Sequence, residues 1–263
     1  MAQMNRRRLS TTFLALLYVS TAHAAPNSAT RVRTFAALPD WTGIWQSAVW
    51  PTDVSGHAVG GEAQLRNRAQ LLRHPPYNAE WEAKFQAGMQ NTAALAEENA
   101  TFKICSRGFP AIMEAPWVFQ IVVSPEETLL IFENGQVRHI YADGRRHPDK
   151  EDLWPTLLGD SIGHWEGDTL IVDTIARTSE PIAPRAWLSV LSDRAHFTER
   201  LRMVNRNEIE DQLTIEDPIA LVQPWRMVLE FKRLPEMNRM IPFDCTENDR
   251  NPGVDGKITI STP

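Results

Sequence analysis

The chain predicts an all-β fold: a single antiparallel, up-and-down β-barrel of about 8–10 strands, with a helical insertion near its N-terminus. Three observations predict it. From Pro116 onward apolar and polar residues alternate, the period of a strand with one buried face. Turn signals recur about every eight to twelve residues, the spacing of a sandwich or barrel. Successive runs are joined by short connections, among them Asn134-Gly135, a strong hairpin signal.

Taken in order, residues 1–24 read as a signal peptide. Arg6, Arg7 and Arg8 form its basic start, Phe13 to Val19 a short apolar run, and Ala22-His23-Ala24 the small residues of a cleavage site near Ala24. The expected location is therefore periplasmic or secreted; both the general and the twin-arginine export routes fit the arginines. Residues 25–38 read as a flexible leader and 39–250 as the barrel domain, with its helical insertion at about 60–100 and a tail at 251–263. WTGIWQ at 41–46 is the first strand. Within the insertion, Glu62 to Arg73 has helical composition, and Asn78 can cap a second helix with Glu80 and Glu82 in its first turn. Trp81, Phe85 and Met89 then fall on one packing stripe. The expected strands that follow are 117–124, 128–133, 136–143, a run into the corner at 161–167, 168–175, 196–204, 208–217, 225–234 and 240–245. Loops at 144–159 and 176–194 interrupt them. The Glu166-Gly167-Asp168 corner is the densest concentration of chemically capable groups in the chain.

Composition excludes several classes of function. Loss of the three leading arginines takes the formal net charge from −6 to −9, which disfavours nucleic acid and anionic membrane. No apolar run is long enough for a membrane-spanning helix, so no membrane insertion is expected. Neither a GxGxxG nor a Walker loop is present, nor HExxH, HxH or CxxC spacing, so neither a cofactor nor a metal is expected. There is no GxSxG nucleophile elbow. Two cysteines, Cys105 and Cys245, suit a disulfide in an oxidising compartment, worth about 5 kcal/mol in the chain-entropy model; two buried thiols are the alternative.

Several motifs occur together: PPYNAEW at 75–81, Cys105 with the Gly-Pro-containing turn after it, Asp143-Gly144-Arg145 with His147-Pro148, SIGHWEGDTLIVDT at 161–174, Glu199 to Arg202, TIEDP at 214–218 with Pro224-Trp225, and Cys245-x-Glu247-Asn248. In this set the chain resembles a large group of secreted, mostly uncharacterised bacterial β-rich proteins. The resemblance covers roughly residues 40–250. It implies an exported single β domain and carries no activity with it. Asp211 stands where that pattern leads one to expect an apolar or aromatic residue. Gly43-Ile44-Trp45 in the first strand is also similar to the opening of lipocalin-like barrels, which hold a small ligand in their lumen.

Strand alternation selects the candidate site residues. Glu199 shares a face with Phe197 and Leu201, Asp211 with Ile209 and Leu213, and Asp173 with Ile171 and Ile175. If these apolar faces are the inside, three carboxylates project inward, and each must be paired, hydrated or lining a cavity. Arg138 and Arg202 are the candidate partners of Glu199, and backbone amides of the corner those of Asp173. Placed inward, His139 and Tyr141 would add a base and a phenol donor. His147, His196, Trp117 and Trp165 are candidate ligand contacts at the rim. Nine tryptophans, Trp187 and Trp225 among them, suit a pocket mouth as well as ordinary core filling.

The expected function is cofactor-independent acid–base chemistry of lyase, dehydratase or isomerase type on a hydrophobic, aromatic small molecule. Glu199, Asp211, His139 and Tyr141 are the expected catalytic groups. A non-catalytic periplasmic carrier or sensor of the same ligand is the alternative, and an envelope protein that binds a partner a third reading. Exposed Trp-bearing loops suggest pairing as a homodimer.

Overall fold

The computed structural model describes residues 28–48, 74–90, 107–115, 117–178 and 191–241. The signal segment, Cys105, Cys245, Trp187, the helix expected over 62–73 and the tail lie outside the described residues.

Nine strands form the sheet: β1 (Ile44–Ser47), β2 (Val118–Val123), β3 (Glu127–Phe132), β4 (Val137–Tyr141), β5 (Asp160–Glu166), β6 (Thr169–Ile175), β7 (His196–Asn205), β8 (Glu208–Glu216) and β9 (Trp225–Arg233). They pair in chain order, and β9 returns to β1, closing the barrel. The up-and-down order is as the alternation predicts. The purely antiparallel pairing is not: β4 and β5 run parallel. Parity explains this. In a closed ring of nine strands, strict alternation cannot return to its starting direction, so at least one neighbouring pair must be parallel. The 142–159 connection is long enough for the crossover that a parallel pair requires. The parallel ladder is short, only Ile140↔Ser161 and Tyr141↔Ile162.

Local signals position the rest. Gly167-Asp168 is a two-residue loop between Glu166 and Thr169, with Gly167 at φ 65°. This loop sets the β5–β6 register. Gly163 faces inward on β5, where an added Cβ would stand 2.9 Å from the Ile171 carbonyl oxygen and 3.0 Å from Ile140. Helix α1 (Ser28–Ala37) occupies most of the stretch expected to be a flexible leader and is largely exposed. Helix α2 (Ala79–Gln90) begins as expected: Asn78 Oδ1 accepts the Trp81 N–H at 3.0 Å. Its Phe85 is buried, and Tyr77 just before it bridges to Leu221. Met240 and Ile241, the described start of the expected tenth strand, are not in strand conformation.

Side chains fill the barrel interior. Phe119 packs against Phe132 (5.4 Å between centroids) and edge-on against Phe231 (5.3 Å). The segment 108–115, with its 3-10 turn at Ala111–Glu114, is buried, and Phe109 meets Phe197 edge-on at 5.0 Å. These residues belong to one contiguous apolar core that also includes Trp41, Leu170, Val172 and Leu213.

Two face assignments need correction. On β4 the inward residues are Arg138 and Ile140, so His139 and Tyr141 point outward, and His139 is 48% exposed. An arginine turned inward is what alternation alone disfavours; a buried counter-charge makes it possible. On β6 the inward residues are Leu170, Val172 and Thr174, and Asp173 faces out with Ile171 and Ile175. Both faces of β6 carry branched apolar residues, so its pattern alone did not choose between them.

Candidate functional site

The barrel holds two groups of ionisable residues, one inside and one outside. The inner group is built by alternation on three strands. Glu199 on β7 and Asp211 on β8 are diagonal neighbours, since Glu199 stands opposite Leu213 and Leu201 opposite Asp211. Both are 0% exposed, as the patterns of β7 and β8 predict. Arg138 reaches Glu199 end-on, Nη1 to Oε1 at 2.9 Å and Nη2 to Oε2 at 2.5 Å. Its Nη2 also donates to Thr174 Oγ1 (3.0 Å), and its guanidinium lies 3.8 Å from the centre of the Phe109 ring. Arg138, one of the two candidate partners of Glu199, is thus the one that binds it.

Among the described residues Asp211 has no donor for either oxygen as a carboxylate. Burial, and then the charge of Glu199, push its pKa well above the usual carboxylate range. Protonated, it can donate to Glu199, which resolves the missing partner. The inner group is therefore a buried Arg–carboxylate pair with a neutral acid beside it. Neither carboxyl reaches solvent. Glu114, in the buried 108–115 segment, is a second carboxyl raised by burial, to about 8.

The outer group is laid across the outward faces of neighbouring strands. Asp160 on β5 and Asp173 on β6 are diagonal neighbours, because Ile162 stands opposite Asp173. His196 on β7 lies diagonal to Asp173 and opposite Glu216 on β8. His147, from the β4–β5 crossover, bridges the two aspartates. Its Nδ1 is 2.5 Å from Asp160 Oδ1 and its Nε2 2.9 Å from Asp173 Oδ1. Asp173 Oδ2 is in turn 2.9 Å from His196 Nε2. The result is a continuous chain, Asp160–His147–Asp173–His196, extended by Glu216 at 3.7 Å from His196 Nδ1.

Proton counting gives this chain its chemistry. Three hydrogen bonds link its four groups, and each needs one proton. Two neutral imidazoles bring only two, so all three bonds form together only when the chain holds one proton more. Asp160 and His147 are the sheltered half of the chain (24% and 16% exposed), whereas Asp173 and His196 are both open to water (42% and 38%).

The sheltered end borders a cleft of about 420 Å³ at the β4–β5 seam, where the ladder is two residue pairs long. Leu157, Leu158 and Val137 give it apolar surface. His139 and Tyr141, nearly parallel with centroids 5.9 Å apart, give it an aromatic wall, and Asp160 and Ser161 line it too. Gly159, at φ 76°, lets the chain enter β5 here; a Cβ would meet the Ile175 carbonyl oxygen at 2.7 Å.

The structure thus brings His147, His196, His139 and Tyr141 to one side of the barrel, but outside it and away from Glu199 and Asp211. Trp165 and Trp117 go elsewhere. Trp165 lies near the opposite end of β5 and packs against Trp41 at 5.1 Å, and Trp117 is buried with Arg107 above its ring. Asp160 is the site residue that sequence reasoning missed. The two-residue corner held the signal: counting back from Glu166↔Thr169 pairs Ile162 with Asp173 and puts Asp160 on the same face.

Among the described residues no set of three or more His, Cys, Asp or Glu side chains is arranged to hold a metal ion, and no helix is long and apolar enough to cross a membrane. No family model, curated protein or solved structure matches the chain.

Proposed function

We propose that the protein binds a small molecule in the β4–β5 cleft and performs cofactor-independent acid–base chemistry on it, of lyase, dehydratase or isomerase type. The observation that carries this reading is the hydrogen-bonded chain with one end, Asp160, in a cleft and the other, His196, open to water. Asp160 is the group that meets the ligand. It takes a proton from an acidic O–H or C–H and shares it with His147; the proton then passes through Asp173 to His196 and on to water. Protonation of the product runs back along the same chain. A positioned acid or base contributes typically 10²–10⁴-fold to rate. The reading moves the chemistry from the lumen to the outer face, because Glu199 and Asp211 are sealed in the core. Export through the N-terminal segment, and action in the periplasm or outside the cell, belong to the same proposal.

Incubation in D₂O with a library of hydroxylated ring compounds tests it, with deuterium uptake or product followed by mass spectrometry. The wild type is expected to exchange or convert a member of the library. His147→Gln and Asp173→Asn are expected to lose at least 100-fold while keeping the wild-type melting temperature within a few degrees. An unchanged rate in His147→Gln refutes the reading.

Binding without turnover, as in a carrier, is the second reading. One observation favours it: both ring nitrogens of His147 are already engaged by carboxylates, as in a side chain locked to shape a wall.

A further inference from the structure

A row of acid–base side chains crosses the outer face of the barrel, and the cleft interrupts it once. From β3 to β8 the row runs Glu127, His139, Asp160, Asp173, His196 and Glu216, each at an outward position of its strand. Asp160 is linked to His196 through His147 and Asp173, and Glu127 is linked to His139. Among the described residues no bond joins His139 to Asp160, and both line the cleft. Register makes these two neighbours. Ile140 stands beside Ser161 in the parallel ladder, so His139 and Asp160, one residue earlier on each strand, come side by side on the outer face.

The bond to Glu127 decides what His139 can do. Glu127 lies diagonal to His139, because Leu129 stands opposite it, and Glu127 Oε2 is 3.1 Å from His139 Nδ1. A carboxylate only accepts, so the proton of this bond sits on Nδ1. That holds for the neutral ring and for the imidazolium alike, and it leaves Nε2 as the atom that takes or gives a proton. Nε2 has no hydrogen-bond partner among the described residues. The second oxygen of Asp160 has none either, since Oδ1 is spent on His147. Two proton-transfer atoms are thus open in one cleft, each backed by an orienting group: Glu127 behind His139, His147 behind Asp160. A proton-transfer group oriented by another side chain is the arrangement that acid–base catalysis uses.

We propose that His139, oriented by Glu127, is the second proton-transfer group of the cleft and works beside Asp160. This rests on the cleft proposed above as the site of chemistry, and adds the partner that a lyase or isomerase step needs. In an isomerisation Asp160 takes a proton from one ligand atom, the electron pair left behind shifts along the ligand, and the imidazolium of His139 gives a proton to the atom where the pair arrives. In a dehydration the pair from the broken C–H bond forms the new double bond, the C–O bond breaks, and the hydroxide leaves as water with the proton of His139. Both groups reset through solvent: Asp160 passes its proton along the chain to His196, and His139 takes one up. His139 is a catalytic residue in this scheme, and Glu127 a positioning residue.

Two measurements test it. Long-range proton–nitrogen NMR of the histidine rings at alkaline pH reads the tautomer. His139 is expected to carry its proton on Nδ1 in the wild type and in Glu127→Gln, whose amide oxygen still accepts, and on Nε2 in Glu127→Leu. The second measurement uses 5-nitrobenzisoxazole, a neutral ring compound. A base takes its ring C–H proton, the pair forms a nitrile, and the N–O bond breaks to give a coloured phenolate. The wild type is expected to open it at least tenfold faster than free imidazole at equal concentration. His139→Ala and Glu127→Leu are each expected to lose at least fivefold at an unchanged melting temperature, while Glu127→Gln stays within twofold of the wild type. A pair that only braces the surface would leave this rate alone. A neutral His139 protonated on Nε2 in the wild type, no acceleration by the wild type, or a wild-type rate in His139→Ala overturns the proposal. The functional reading fails separately: a wild-type rate in His147→Gln beside a loss in His139→Ala removes the Asp160 chain and leaves His139 standing.

Discussion

Arg138, Glu199 and Asp211 show how a barrel core tolerates charge. Two of the three form a bidentate pair, and burial favours the neutral form of the third, so this group adds no uncompensated charge to the interior. Different substitutions in the group should therefore behave differently. Glu199→Gln strands the guanidinium of Arg138 and is expected to cost about 3–5 kcal/mol in urea denaturation. Asp211→Asn replaces a neutral acid by a neutral amide of the same shape and is expected to be tolerated, and to be more stable than the wild type at alkaline pH. The sign follows from linkage. The folded state holds the protons of Asp211 and Glu114 above the pH, about 4, at which the unfolded chain releases them. Stability from these groups is therefore full below about pH 4 and falls as pH rises, by about 1 kcal/mol per pH unit for each group. For Glu114 the fall continues to about pH 8. Denaturation midpoints between pH 5 and 8 should show a shallower slope in Glu114→Gln and in Asp211→Asn. A slope unchanged by either substitution contradicts the protonated state of that group.

The β5–β6 hairpin is the element on which the site depends. Its two-residue corner fixes the register, and the register places Asp160 and Asp173 diagonally on the outer face. Gly163→Ala forces a methyl against the Ile171 carbonyl and Ile140, and is expected to destabilise by about 1–3 kcal/mol, lowering the melting temperature by several degrees. The hairpin also shows what sequence can and cannot reveal. Gly167-Asp168 marks the corner, and β7 and β8 alternate cleanly enough to place Glu199 and Asp211 inside. β6 alternates between two apolar faces, so Asp173 is assigned correctly only through the register of its partner strand. The inward turn of Arg138 is invisible to hydropathy, because the carboxylate that permits it comes from a strand far away in sequence. His147 lies in a crossover with no periodicity, and only the folded chain shows it resting on Asp160.

At the scale of the molecule, nine strands in a closed ring force at least one parallel pair, and the cleft lies at that seam. Only two residue pairs join β4 to β5, and the cleft lies along this short ladder. A barrel of this size has room inside for either side chains or one small ligand. Here Phe109, Phe119, Phe197 and Phe231 occupy that space, and Phe231→Ala is expected to cost about 3–5 kcal/mol. The central claim is that small-molecule chemistry belongs to the seam on the outer face and not to the lumen. Chemical-shift mapping with neutral 4-hydroxybenzyl alcohol tests this most directly. The account predicts perturbations concentrated at Val137, His139, Tyr141, Leu157, Leu158 and Asp160. Perturbations centred instead on Phe197, Glu199, Leu201 and Asp211 would contradict it.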